Sequence, residues 1–113
     1  MRVVRYDDIE PDKRSDGREI YSLINYKLIE GEGKFFRVKI PKGCIEKEHY
    51  HKGSEEIFIF LTPGSIIINQ EEYDFKEGDI VVLEKNDRHK IVAKEEMEII
   101  GLKVPDIDDK VVV

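Results

Sequence analysis

One cysteine, one glutamine, three histidines and no tryptophan stand in a chain of 113 residues. Each scarcity excludes something. A lone Cys44 cannot close an internal disulfide, which fits a reducing cytoplasm. No apolar run approaches the roughly 20 residues of a membrane-spanning helix. Residues 1–8 also lack the apolar centre of a signal peptide, so a cytoplasmic location is expected. No basic run exceeds two residues and the net charge is −6, which argues against binding a nucleic-acid backbone. The acidic surplus reads as a solvated surface. Repeats, low-complexity tracts, linkers and any convincing helical period are missing as well.

What is abundant is charge and β-branched carbon. Charged residues make up 39% of the chain, against about 25% in an average domain. Apolar residues make up 40%, and Ile and Val dominate them, which favours strands over helices. At this length the chain is expected to be one domain, residues 1–113, with a single core.

Apolar segments with strand character follow one another across short turns: residues 20–30, 34–40, 44–50, 55–61, 65–69, 80–84, 89–94 and 98–104. Gly31-Glu32-Gly33 between the first two is a hairpin signature, and Gln70-Glu71-Glu72 is a polar turn. About ten short antiparallel strands describe an all-β sandwich or barrel. Residues 1–19 are expected as an N-terminal arm, with 7–18 a loop or one short helical turn. Residues 105–113 form a tail. Its apolar end, Lys110-Val111-Val112-Val113, is either a strand that pairs with a second subunit or a frayed terminus.

The histidines are the most informative feature. His49 and His51 are two apart on an expected strand, so they point to one face. Glu56 opens the next strand and His89 a third. Two imidazoles from one strand, plus an imidazole and a carboxylate from its neighbours, can converge on one point inside a barrel. Such a donor set suits one divalent iron, manganese, cobalt, nickel, copper or zinc ion.

The flanking residues read Gly43-x5-His49-x-His51-x4-Glu56-x7-Gly64 over residues 43–64, then Gly78-x10-His89 within residues 78–93. This resembles the two motifs of the cupin superfamily, in its small single-domain form. Three departures stand out. Gly64 comes one residue late, Glu84-Lys85-Asn86 replaces a PxG turn, and Ala93 replaces a terminal Asn. Asn86 tolerates the left-handed backbone that such a turn needs. Family spacing admits Glu55 as well as Glu56 for the carboxylate; a ligand acid directly before the apolar strand favours Glu56.

The resemblance implies a double-stranded β-helix, or jelly-roll barrel, working as a homodimer. It also implies metal-dependent chemistry on a small organic molecule, of dioxygenase or isomerase type. The same barrel serves non-catalytic metabolite binding and sensing, and that alternative stays open. Tyr26, Phe58 and Ile91 are the candidates for substrate contact; Phe36, Val38 and Ile40 read as barrel core. All three histidines are taken by the metal motif, which argues against a His-based sugar epimerase. Arg37 is the one candidate to bind a substrate carboxylate, as a thiol dioxygenase would require.

Overall fold

The computed structural model describes residues 1–24 and 31–113. Its strands in chain order are β1 (Arg2–Val4), β2 (Asp12–Lys13), β3 (Glu19–Ile20), β4 (Lys34–Ile40), β5 (His49–His51) and β6 (Glu55–Phe60). They continue as β7 (Gly64–Ile68), β8 (Glu71–Phe75), β9 (Ile80–Leu83), β10 (His89–Lys90), β11 (Met97–Val104) and β12 (Lys110–Val112). The described residues contain no α-helix, only a 3-10 turn at Tyr6–Asp8.

Two five-stranded antiparallel sheets carry the fold, in the orders β1-β9-β6-β11-β4 and β12-β5-β10-β7-β8. Their apolar faces meet because the side chains alternate. On β6, Glu56, Phe58 and Phe60 are buried while Ile57 and Ile59 stay half-buried on the other face. Ile66 and Ile68 of β7 and Phe75 of β8 face them from the second sheet. Phe60 stacks on Phe75 with ring centres 4.3 Å apart. Gly101 of β11 lies in register with Phe36 on one side and Phe58 on the other. A Cβ there would run into the Phe36 ring. This glycine thus lets two aromatic rings meet edge to face, 6.3 Å apart, over the interior.

Several local expectations change. The strand expected over residues 20–30 is not formed at its start: Glu19–Ile20 pairs with Asp12–Lys13, and residues 21–24 are not extended into a ladder. Residues 25–30, with Tyr26, lie outside the described residues. Strand β4 pairs with β11, while the part of the expected hairpin that would face it across Gly31-Glu32-Gly33 lies outside the described residues. The N-terminal arm is no mere arm, since Arg2–Val4 forms the edge of the first sheet against β9. The β7–β8 turn falls at Asn69-Gln70, with φ of 48° and 72°, the two-residue mirror-type turn whose twist suits a hairpin. Asn86 takes the left-handed conformation its position suggested, with φ of 69°. The apolar tail forms an edge strand of its own chain: β12 pairs with β5, and Val111 lies opposite Tyr50.

Asp79, buried at the turn before β9, ties the N-terminal edge to the sandwich. It accepts from the backbone of Lys76 at 2.8 Å and Tyr6 at 3.1 Å, and from Arg5 Nη1 at 2.8 Å. Burial opposes its ionisation, yet these donors hold its carboxyl below the usual carboxylate range. Asp79→Ala strands two backbone donors and the guanidinium, and is expected to lower unfolding stability by about 2–4 kcal/mol. Denaturant unfolding measures it. The wild-type advantage should be present near neutral pH and disappear as pH falls through the depressed pKa, because the protonated acid loses the ion pair.

Candidate metal centre

The second sheet supplies three imidazoles and the first sheet one carboxylate. His49 and His51 occupy the two ends of β5, so alternation turns both inward. His89 opens β10 directly across the ladder from His49, with ring centres 4.3 Å apart. The turn that delivers it is anchored where Asn86 N–H donates to the His51 carbonyl at 2.9 Å. Glu56 arrives on β6 from the opposite sheet. All four residues are between 3% and 7% exposed, and one potential ligand atom from each lies within 4.8 Å of the others. Glu55 sits half-buried on the other face of β6 and is not in the group.

Each imidazole is held by its outer nitrogen. His49 Nδ1 lies 2.9 Å from the carbonyl of Lys47, and His89 Nδ1 lies 2.9 Å from the carbonyl of Asp87. A carbonyl only accepts, so both Nδ1 atoms carry the proton and both Nε2 atoms direct a lone pair inward. His51 Nδ1 donates to the Asp109 carboxylate at 3.0 Å. Asp109 is fixed in turn by the Gly53 N–H at 2.8 Å and the Lys103 ammonium at 3.2 Å. Burial works against its charge, but those donors hold its carboxyl well below the usual range.

Two of the inner atoms have no such partners. Glu56 Oε1 stands 2.8 Å from His51 Nε2 and 3.5 Å from His89 Nε2. Even so, neither Glu56 Oε1 nor His89 Nε2 has a hydrogen-bond partner. Buried polar atoms are rarely orphaned in this way, and one divalent cation would satisfy both. The spacing suits imidazole and carboxylate ligands held at about 2.0–2.2 Å from a common ion. The residues present therefore fit a metal.

Charge in the metal-free cluster is uneven. Burial drives the His49 pKa down to about 4, over the opposing pull of the Lys47 carbonyl. The Glu56 carboxylate beside His51 raises the pKa of that ring. Burial pushes Glu56 up, but the imidazoles of His51 and His89 outweigh it and bring the carboxyl to about 2.

A cavity of about 250 Å³ opens beside the cluster. His49, Glu56 and His89 form its floor; Phe36, Val38, Ile40, Phe58, Ile91 and Ile99 form most of its wall. Phe58 and Ile91, expected near a substrate, do line it. So do Phe36, Val38 and Ile40, expected to be core only. Arg37 does not reach it: its guanidinium pairs with Glu98 at 2.6 Å on an exposed face.

Two residues near the site had no sequence signal strong enough to single them out. Asp109 is one of three acids in residues 106–109 and meets His51 across 58 positions of sequence. Glu46 lines the cavity, although strict alternation from His49 would turn it away. Residues 46–48 leave the extended ladder, so the alternation is reset between Glu46 and His49. Glu46 Oε1 is buried without a hydrogen-bond partner, and burial raises the pKa of its carboxyl.

Comparison with known proteins agrees with this architecture. The family model for the cupin domain matches residues 36–103, a span that holds all four clustered residues, and the chain belongs to that family. It is 28% identical over 95 residues to an uncharacterized protein, MJ1618, of Methanocaldococcus jannaschii, covering 80% of this chain and 76% of that one. An uncharacterized conserved protein with a double-stranded β-helix domain from Klebsiella pneumoniae superposes with a TM-score of 0.63 at 14% identity, over 77% of this chain and 75% of that one. Salicylate 1,2-dioxygenase from Pseudaminobacter salicylatoxidans superposes at 0.59 with 12% identity, over 64% of this chain. The matched part is 21% of that enzyme's chain, and the same enzyme has been solved as an adduct with gentisate. At such identities the likeness is one of fold. The all-β, double-stranded β-helix architecture expected from the motifs is the one found.

In the metal-free protein, His49 should stay neutral down to about pH 4, while His51 should keep its proton above its ordinary pKa. Nitrogen-15 NMR of the ring nitrogens reads both. Their effects on stability have opposite signs. The lowered His49 pKa makes the fold less stable as pH falls below about 6.5, and the raised His51 pKa makes it less stable as pH rises above that value.

Proposed function

We propose that this cupin is a metal-dependent enzyme of dioxygenase type acting on a small, largely apolar organic molecule. One observation carries the reading. Three imidazoles held by their Nδ1 atoms and one carboxylate bring ligand atoms within 4.8 Å of one another beside a cavity, and two of those atoms, Glu56 Oε1 and His89 Nε2, lack partners.

His49, His51, Glu56 and His89 would hold the ion, which could be iron, manganese, nickel, cobalt, copper or zinc by donor type. Such an ion supplies Lewis-acid polarisation of a coordinated ligand and, where redox-active, oxygen chemistry. The chain's own residues do the rest. The Lys47 and Asp87 carbonyls and the Asp109 carboxylate keep each ring in the binding tautomer, and outer partners of this kind tune affinity. Phe36, Phe58, Ile91 and Ile99 exclude water and present flat apolar surface to a substrate. That wall favours a dioxygenase over a sugar isomerase, since a polyol needs several polar partners and the wall offers few. The fold likeness to salicylate 1,2-dioxygenase agrees with the choice.

His49→Ala combined with His51→Ala should abolish metal content measured by elemental mass spectrometry; stoichiometric metal in that variant would sink the site. Glu56→Gln should weaken binding more than Glu55→Gln. Asp109→Ala should weaken it by about 10–100-fold with the fold intact. For catalysis, iron(II)-loaded protein is expected to consume oxygen with a member of a panel of small phenols, read on an oxygen electrode. Silence across the panel with metal bound would favour a non-catalytic binding or sensing role.

A further inference from the structure

The cavity wall holds a buried carboxylate oxygen that neither the fold nor the metal cluster uses. Glu46 follows a short stretch that runs beside residues 91–93: its backbone N–H donates to the Ile91 carbonyl at 2.8 Å, and Ala93 N–H donates to Cys44 at 2.9 Å. These bonds set the Glu46 side chain at the cavity, with 36% of it still exposed. Its Oε1 is shut off from solvent and has no hydrogen-bond partner. The nearest ring nitrogen, His49 Nδ1, is 3.9 Å away and already donates to Lys47. A buried acceptor without a donor is costly to keep and is usually satisfied by water or a ligand.

Two other charged side chains line the cavity. Glu56 belongs to the metal cluster. Lys39 also lines the cavity, on an exposed position of β4 opposite Glu98 in the β4–β11 ladder, and Arg37 is paired with the same Glu98. No arginine lines the cavity among the described residues, so nothing there provides the forked donor that suits a carboxylate. The volume of about 250 Å³ corresponds to about eight waters at ~30 Å³ each, enough for one substituted ring.

We propose that Glu46 selects the substrate: the cavity takes a compact, mostly apolar molecule carrying an amine, amidine or hydroxyl donor that bonds to Glu46 Oε1, and it disfavours a carboxylate at that position. The proposal rests on the reading of this cavity as the substrate pocket of the metal centre. Glu46 acts as a specificity residue, and the cluster holds the reacting end.

The test uses three probes of one shape: benzamidinium, which is a charged donor; acetophenone, which donates nothing; and benzoate, which only accepts. Each is titrated into isotope-labelled protein, with and without zinc(II), and binding is read from the NMR shifts of the Val38, Ile91 and Ile99 methyl groups. Benzamidinium should bind about tenfold more tightly than acetophenone, with benzoate weakest. Glu46→Met should bring benzamidinium and acetophenone within about twofold of each other. Glu46→Gln, which keeps the shape and removes the charge, should weaken benzamidinium several-fold and leave acetophenone unchanged. Equal affinities in the wild type, a preference that survives both variants, benzoate as the tightest probe without zinc, or no binding by any probe would each overturn the proposal. Failure to take up zinc would sink the metal reading instead, because the ranking by Glu46 is measured in the zinc-free protein too.

Discussion

Three imidazoles and a carboxylate occupy the interior of a sandwich whose other inward side chains are mostly Ile, Val, Leu, Phe and Met. Moving one polar group into such surroundings costs roughly 2–7 kcal/mol if it finds no partner. The fold meets that requirement on the outer side of each ring and leaves it unmet on the inner side. Two backbone carbonyls and the Asp109 carboxylate take the Nδ1 protons, so the unmet demand collects at the inner atoms, where Glu56 Oε1 and His89 Nε2 lack partners. The order of the strands in the second sheet brings these rings together. Strand β5 lies between β10, which carries His89, and β12, which follows the residue that fixes His51.

The two sheets divide the work. The second sheet holds the imidazoles on short strands whose turns are pinned by Asn86 and Asp109. The first sheet is the more apolar, with longer strands, and brings Glu56 on the same face as Phe58 and Phe60. Gly101 allows Phe36 and Phe58 to meet above the cavity. A rigid apolar wall facing a polar floor is a common form of small-molecule pocket, in which a few polar groups set orientation. Glu46 supplies a further such group at the wall.

Closure of the second sheet depends on residues far along the chain. The tail, through β12 and Asp109, lies against β5 and braces His51 from outside. At the opposite end of the chain, β1 completes the edge of the first sheet while Arg5 and Tyr6 bind Asp79. Both ends therefore take part in the sandwich that carries the cluster.

The amino-acid sequence alone determined whatever depends on local alternation and spacing. His49 and His51 are two apart and must share a face; Glu56, Phe58 and Phe60 likewise; and the glycine and histidine spacing is that of the cupin motifs. The left-handed turn at Asn86 was legible for the same reason, because it depends on one residue's steric freedom. Tertiary structure alone decided the rest. Asp109 became a partner of His51 because the tail folds back beside β5, and nothing in residues 106–109 distinguishes that acid from its neighbours. Glu46 turned into the cavity because the chain leaves its extended path at residues 46–48, which resets the alternation. Strand β4 found its partner in β11, far along the chain. Such outcomes depend on which distant strands pack together, and no local period records that choice.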